Sequence, residues 1–514
     1  MDNQISQKQK QWTIIATILA SGVVFLSSSI VNVALPVIGE ALDTGLSGLQ
    51  WVVDSYLLTL SSLLILGGAF GDRFGRRRMC VIGLIGFGLT QIGSGFSPNI
   101  GWLIGFRAVQ GISGALMVPE SLAILRSVFV DPEERGKAIG AWSGWTGIAT
   151  VIGPLLGGYM VEALSWRWAF FISIPLILLS IYLMIRFVPP SQRQSTSANL
   201  DWIGSVIVTL GLGGIAYGFI EGPVVGWTSP SVLIGLIGGL FMLAAFPVVE
   251  SRLKRPLLPL SLFESRNFSG ANLATFAIYA ALQGSSFLIV LYIQNVMGYS
   301  ALVAGLMTAP ISLLLLLLSS TAGRLSNKYG PRLFMTFGPI VTGIGLALLA
   351  MLNPDSNIWL ELIPAIVIFG LGLASTVAPL TDTVLSAAPE KHSSVAAAFN
   401  TMVSRVAALL AVAAFGAILS LGFSNDLNQR LAAITLPEDA AQQLQAISEE
   451  PSARIDREQL PEEAVRAYEL SYTSGYSQAM FTGAILAGIG GVISYITIRN
   501  PDQKEKAKGK ENPT

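Results

Sequence analysis

The chain has 514 residues, 12% of them charged and 52% apolar, with a mean hydropathy of +0.62. A soluble domain carries about 25% charged residues, so there is too little polar surface here to cover a soluble globule of this size. The 31 basic and 31 acidic residues cancel, which gives no sign of nucleic-acid binding, and the single cysteine (Cys80) and single histidine (His392) argue against a disulfide, a metal cluster or a Ser-His-Asp site.

A bilayer-spanning helix needs roughly 20 apolar residues. Runs of that kind recur at 12–36, 49–70, 79–97, 101–125, 137–162, 168–188, 202–221, 231–249, 268–295, 302–322, 333–352, 357–385, 394–421 and 477–498. They are continuous rather than alternating, which predicts helices and not barrel strands. The expected fold is therefore all-α and polytopic, with fourteen transmembrane helices. The first run exceeds the h-region of a signal peptide and reads as a retained helix. With the amino terminus inside, the even-numbered connections and both termini hold 24 of the 31 basic residues, among them Arg73, Arg76, Arg77, Arg78, Arg126, Arg135 and Lys137. Such a bias predicts cytoplasmic termini.

The chain divides into a cytoplasmic start (1–11), a six-helix half (12–190), two inserted helices (191–260), a second six-helix half (261–499) and a cytoplasmic tail (500–514). A long acidic outer connection is expected at about 423–477, with short surface helices inside it. The division rests on a weak internal repeat. Aligning Asp72 with Asn327 also pairs Phe74 with Tyr329, Gly75 with Gly330 and Arg77 with Arg332.

The first copy, Gly68-Ala-Phe-Gly-Asp-Arg-Phe-Gly-Arg-Arg-Arg78, is the most specific pattern in the chain. A tight turn needs a glycine free to take positive φ, which Gly75 supplies. The fifth run carries Gly140, Ser143, Gly144, Gly147, Ala149, Gly153, Gly157 and Gly158, small residues that let helix backbones approach closely in lipid. Pro154 permits a kink there.

Ionisable residues inside a bilayer cost several kcal/mol unless paired or wet, and are candidates for function. Arg107 and Asp54 lie at matching depth, about 27 Å from the inner ends of their helices at 1.5 Å per residue. They form a candidate pair if the second and fourth helices adjoin; otherwise Asp54 is a helix-start carboxylate at the outer interface. Glu120 is either a proton or cation site or a carboxyl facing water beside Arg126. Arg405 either snorkels inward or takes a paired role in the second half. His392 reads as a solvated loop residue and Cys80 as a small apolar filler.

Together these stretches resemble the major facilitator superfamily, in particular its fourteen-helix drug:proton antiporter branch of multidrug-resistance exporters. The 68–78 turn is similar to motif A, Arg107-Ala-Val-Gln-Gly111 to motif B, and Gly153-Pro-Leu-Leu-Gly-Gly158 to motif C. Ile30-Val-Asn-Val-Ala-Leu-Pro36 and Ser165-Trp-Arg-Trp-Ala-Phe-Phe171 are also typical. The resemblance implies a major facilitator fold and proton-coupled export of drugs or amphipathic metabolites by alternating access across the plasma membrane. Small molecules and protons are then the partners, with no cofactor and no enzymatic activity. It implies a cytoplasmic gate at Gly68, Asp72, Arg73, Gly75, Arg76 and Arg77, with Arg126 and Arg135 as candidate partners for Asp72. It implies a sliding seam at Gly147, Gly153, Pro154, Gly157 and Gly158, and proton coupling at Arg107. The chain departs from the pattern at Ser27, where the branch usually carries aspartate. Ser27 and Asn32 are cavity candidates, and the serine shifts the balance from lipophilic cations toward neutral or anionic substrates. A facilitator or differently coupled carrier is the first alternative, and a non-transporting membrane sensor the second.

Overall fold

A computed structural model describes residues 6–129, 131–190, 202–252, 260–388, 393–434, 436–447 and 460–500. His392, Lys391 and the tail beyond 500 lie outside these residues. The helices are α1 Gln7–Ala41, α2 Leu46–Phe74, α3 Arg76–Gly95, α4 Ile100–Val128, α5 Pro132–Ala163, α6 Trp168–Phe171, α7 Ile174–Phe187, α8 Trp202–Val225 and α9 Pro230–Arg252. They continue as α10 Arg266–Asn295, α11 Ala301–Tyr329, α12 Pro331–Ala350, α13 Ile363–Ser386, α14 Ser393–Ala433, α15 Glu438–Ile447 and α16 Glu462–Thr497.

Among the described residues, twelve helical stretches are long and apolar enough to cross a bilayer, with α6 and α7 acting as one; α2, bent by 53° between Leu64 and Leu66, makes thirteen. The bend sits beside Gly67 and Gly68, where small residues let the helix yield. The remaining expected span is α3, whose apolar average is lowered by its start on Arg76, Arg77 and Arg78. The protein is a multi-pass membrane protein with an all-helical fold.

Several helices outrun their apolar runs. Ser6 accepts from the Gln9 backbone N–H, the Gln9 side chain returns the bond, and this capping box starts α1 at Gln7. The connection expected at 423–477 is largely helical. α14 extends to Ala433, and α16 starts at Glu462, with Glu462 and Glu463 in its first turn. Acidic residues there complement the helix dipole. Hydropathy reads only lipid-length segments and misses such polar extensions.

Both described chain ends lie on one face of the bundle, called here the terminal face. The Asn500 side chain accepts from Arg332 N–H at 3.1 Å, and Lys10 pairs with Glu134 at 2.5 Å. α1–α7 pack among themselves, as do α10–α16, and the two groups meet where α5 faces α11 and α2 faces α14. α8 and α9 pack on each other through Gly211, Gly214, Gly235 and Gly239, while α8 also touches α2 and α14. Trp51 Nε1 donates to Glu221 Oε1 at 2.8 Å, tying α8 to α2.

Candidate substrate cleft and coupling residues

The two groups of helices touch at the face opposite the termini. A Cβ on Gly158 would stand 2.5 Å from Leu302 Cα, and one on Gly305 would stand 2.4 Å from the Pro154 carbonyl oxygen. α5 and α11 therefore approach to backbone contact because glycine stands at both points. Gln50 Nε2 donates to the carbonyls of Val412 (2.8 Å) and Ala413 (3.0 Å), in space left by Gly416. Gln294 Nε2 donates to the Val33 carbonyl at 3.1 Å. Toward the terminal face the same α5 surface is open: a Cβ on Gly136, Gly140 or Gly144 meets nothing within 4 Å, and Gly147 reaches only Leu316. The cleft between the groups opens to the terminal face and is sealed at the other. Gly153 and Gly157 have a different duty, since they seat α5 against Ser29 and Ile30 of α1 within the first group.

α2 and α4 adjoin, which was the condition for an Asp54–Arg107 pair, but the pair is not made. Arg107, 2% exposed, donates from Nε to the Val52 carbonyl at 2.9 Å and from Nη1 to Gln110 Oε1 at 2.7 Å. Its guanidinium lies over the Tyr56 ring, 4.3 Å from the centroid. The backbone carbonyl and the neutral amide satisfy the donors that Asp54 was expected to take. Asp54 is 0% exposed and neither carboxylate oxygen has a partner. It is not an interfacial helix-start group. Gln50, one turn away on the same face of α2, reaches α14.

Near the terminal face the gate motif also closes differently. Asp72 pairs with Arg76 at 2.9 Å, one turn on, and not with Arg126 or Arg135. Arg76 Nη1 donates to the Ala123 carbonyl of α4, and Arg77 Nη1 to the Val188 carbonyl. Gly75 sits at φ +101°, the left-handed region that glycine takes without steric cost. Glu120 is 1% exposed rather than facing water beside Arg126. Its carboxyl occupies the place of a side chain on Gly71, since a Cβ there would lie 2.0 Å from it, and Oε2 has no partner. Gly68 sits a turn further in, where a Cβ would lie 3.8 Å from Pro119 Cβ, and Arg73 is exposed over Phe74. Glu120 and the Asp72–Arg76 pair are within electrostatic reach of one another.

On α1 the two cavity candidates part company. Ser27 is buried inside the first group of helices, where Gln91 Nε2 donates to it at 3.1 Å and to Ser173 at 2.5 Å. It does not line the cleft. Asn32 is half-buried on the α1 stripe that also carries Phe25, Ser28 and Ser29. Across the cleft, half-buried Arg405 of α14 lies over the Phe25 ring at 5.4 Å. It neither snorkels away nor meets a carboxylate, and it is within electrostatic reach of Tyr56 and Tyr279.

Sequence reasoning missed Gln50, Gln91, Gly71 and Gly305. Intramembrane amides carry no charge and drew no attention, although two of them bridge helices that charge alone left unconnected. Gly71 was visible inside the gate motif, but only packing shows that its absent side chain houses Glu120. Cys80 is buried, as a small apolar filler would be.

Comparison with known proteins places this geometry. The puromycin resistance protein pur8 of Streptomyces alboniger is 33% identical over 408 residues, covering 79% of this chain and 81% of that one. The methylenomycin A resistance protein of Bacillus subtilis (strain 168) is 32% identical over 401 residues, covering 77% and 84%. Among solved structures, a bacterial homologue of the human lysosomal transporter Spinster, inward-facing and unoccupied, superposes with a TM-score of 0.66 at 14% identity, covering 96% of this chain and 97% of that one. That likeness concerns the fold alone. The Major Facilitator Superfamily pattern matches residues 17–412. With helices, seam and cleft arranged as described, the chain belongs to the Major Facilitator Superfamily and is a membrane transporter.

Proposed function

We propose that the protein is a proton-coupled exporter of antibiotic-like small molecules, working by alternating access in the plasma membrane with both termini cytoplasmic. The observation that carries the reading is the asymmetric seam: α5 and α11 meet through Gly158 and Gly305 at one end, while Gly136, Gly140 and Gly144 stand open at the other. Basic residues gather on the terminal face, which favours that face as cytoplasmic. Resistance proteins among the relatives favour export. The gate residues, the seam glycines and the two six-helix halves flanking α8 and α9 belong to the same reading.

Proton coupling is assigned to Asp54 and Glu120, with Arg107 positioned between α2 and α4 as a fixed positive charge. A buried carboxylate without a partner is costly as an anion, and binding a proton removes that cost. Each site then couples protonation to the packing of its helix against a neighbour. Flux in proteoliposomes tests this. Substrate movement driven by an imposed pH gradient, and lost in both Asp54→Asn and Glu120→Gln, is the expected result. Full gradient-driven flux in both variants would sink the assignment. A growth panel of cationic dyes, neutral antibiotics and acidic metabolites, with and without expression, identifies the cargo. One observation favours a second reading, a carrier of a neutral or anionic metabolite with different coupling: position 27 holds a serine turned away from the cleft. Flux indifferent to the pH gradient would select it.

A further inference from the structure

We infer that the cleft selects organic anions with an aromatic body, and that Arg405 is the residue that sets this choice. The inference rests on the transport reading above and names its substrate class.

Among the described residues of the two helix groups, Asp54, Arg107, Arg405 and Glu120 are charged side chains set within the spans, Asp54 and Arg107 toward the end opposite the termini and Glu120 nearer the terminal face. Asp54 is sealed from the cleft at 0% exposure. Arg107 is consumed by Val52, Gln110 and the Tyr56 ring. Glu120 is held in the Gly71 notch between α2 and α4. Arg405 alone of the four is half-buried, and it has no hydrogen-bond or carboxylate partner. Its surroundings are aromatic: Phe25 from α1 beneath it, with Tyr56 of α2 and Tyr279 of α10 within electrostatic reach. These rings come from both groups of helices, so the guanidinium stands where the groups face one another across the cleft.

A guanidinium in a medium of low dielectric attracts a carboxylate, sulfonate or phenolate and repels a cation. Its planar fork also accepts an aromatic body stacked alongside. Ser27 of α1 is bonded to Gln91 and turned into the helix group, so it brings no group to the cleft. No carboxylate among the described residues balances Arg405 for a cationic ligand. Asn32, half-buried on the same stripe as Phe25, supplies a neutral hydrogen-bonding group for the far end of the molecule.

Two dyes with one ring system make the test. Fluorescein is anionic and rhodamine 6G is cationic at neutral pH. Anisotropy titrations on the purified full-length protein should give the tighter Kd for fluorescein. Arg405→Gln should weaken fluorescein binding by roughly tenfold or more, the worth of a hydrogen bond to a charged group, while rhodamine binding holds or improves. Arg405→Lys, which keeps the charge and guards against a folding artefact, should recover part of the loss. Tighter rhodamine than fluorescein binding to the unaltered protein, no binding of either dye, or a fluorescein Kd unchanged in Arg405→Gln would each overturn the inference. Arg405-dependent fluorescein binding without flux in proteoliposomes would instead defeat the transport reading and leave the anion site standing.

Discussion

The turn joining α2 to α3 and the turn joining α11 to α12 are built on the same backbone. Gly75 at φ +101° and Gly330 at φ +94° each end one helix and begin the next. Their chemistry diverges at three aligned positions around that glycine, although Arg77 and Arg332 still correspond. Gly71 leaves a notch filled by the Glu120 carboxyl, whereas buried Ser326 fills its own place. Asp72 is answered by Asn327, and Arg76, which grips Asp72 and α4, is answered by Pro331. Arg332 turns instead to the end of α16, donating to the Tyr495 carbonyl at 3.0 Å and lying over its ring. The repeat preserves a way of turning the chain, and the first copy places Asp72 and Glu120 beside it. On the proposed reading, gate chemistry belongs to the first half and the second copy serves as a structural clasp.

The largest expected effect tests the notch. Gly71→Val drives a branched side chain into the Glu120 carboxyl, an overpacking that costs about 1–3 kcal/mol. Gradient-driven flux in proteoliposomes should drop by roughly 5- to 150-fold, at 1.4 kcal/mol per decade, while Ser326→Val stays near the unaltered rate. Equal losses in both would erase the distinction between the turns. Next come the glycines themselves. Gly75→Ala and Gly330→Ala each force a Cβ into the left-handed region at roughly 1–2 kcal/mol, visible as a lower thermal midpoint. Gly330→Ala must also displace the Asn500 amide, which its Cβ would approach to 2.4 Å.

A smaller pair of substitutions should separate gate from clasp. Asp72→Asn breaks a half-exposed ion pair whose stability contribution is at most about 1 kcal/mol, so flux should change severalfold with the midpoint hardly moved. Arg332→Gln loses a carbonyl contact and a ring contact, about 1 kcal/mol, and should lower the midpoint with flux unchanged. The reverse pattern would exchange the two roles. The smallest effect concerns Asp355, in the connection after α12, whose carboxyl is held below its usual range by hydrogen bonds from Arg466. A depressed carboxyl contributes stability above its unfolded value, near pH ~4, and loses it as pH falls through the lowered value. Asp355→Asn should therefore lower the midpoint slightly at pH 7 and not at all in strong acid. A deficit that persists in acid would break the assignment.

Much of the fold was legible because lipid imposes length and apolarity on each span. The turn glycines were legible because a four-residue charge and glycine pattern has few other uses. Partnerships were not. Depth along two helices put Asp54 and Arg107 at one level, yet rotation about each helix axis decides who meets whom, and Arg107 found a carbonyl and an amide instead. Rotation likewise took Ser27 out of the cleft and left Asn32 beside it. The length of α14 and α16 was hidden because their outer turns are polar and leave the bilayer.

The seal opposite the termini contains three neutral hydrogen bonds, two from Gln50 and one from Gln294. At about 1 kcal/mol each net of water, they hold the halves together by roughly 3 kcal/mol. One elementary charge crossing 100 mV releases about 2.3 kcal/mol. These hydrogen bonds match the yield of a single ion falling through an ordinary membrane voltage, so on the proposed proton-coupled reading breaking them asks for no large energetic store and remaking them follows when the load is gone.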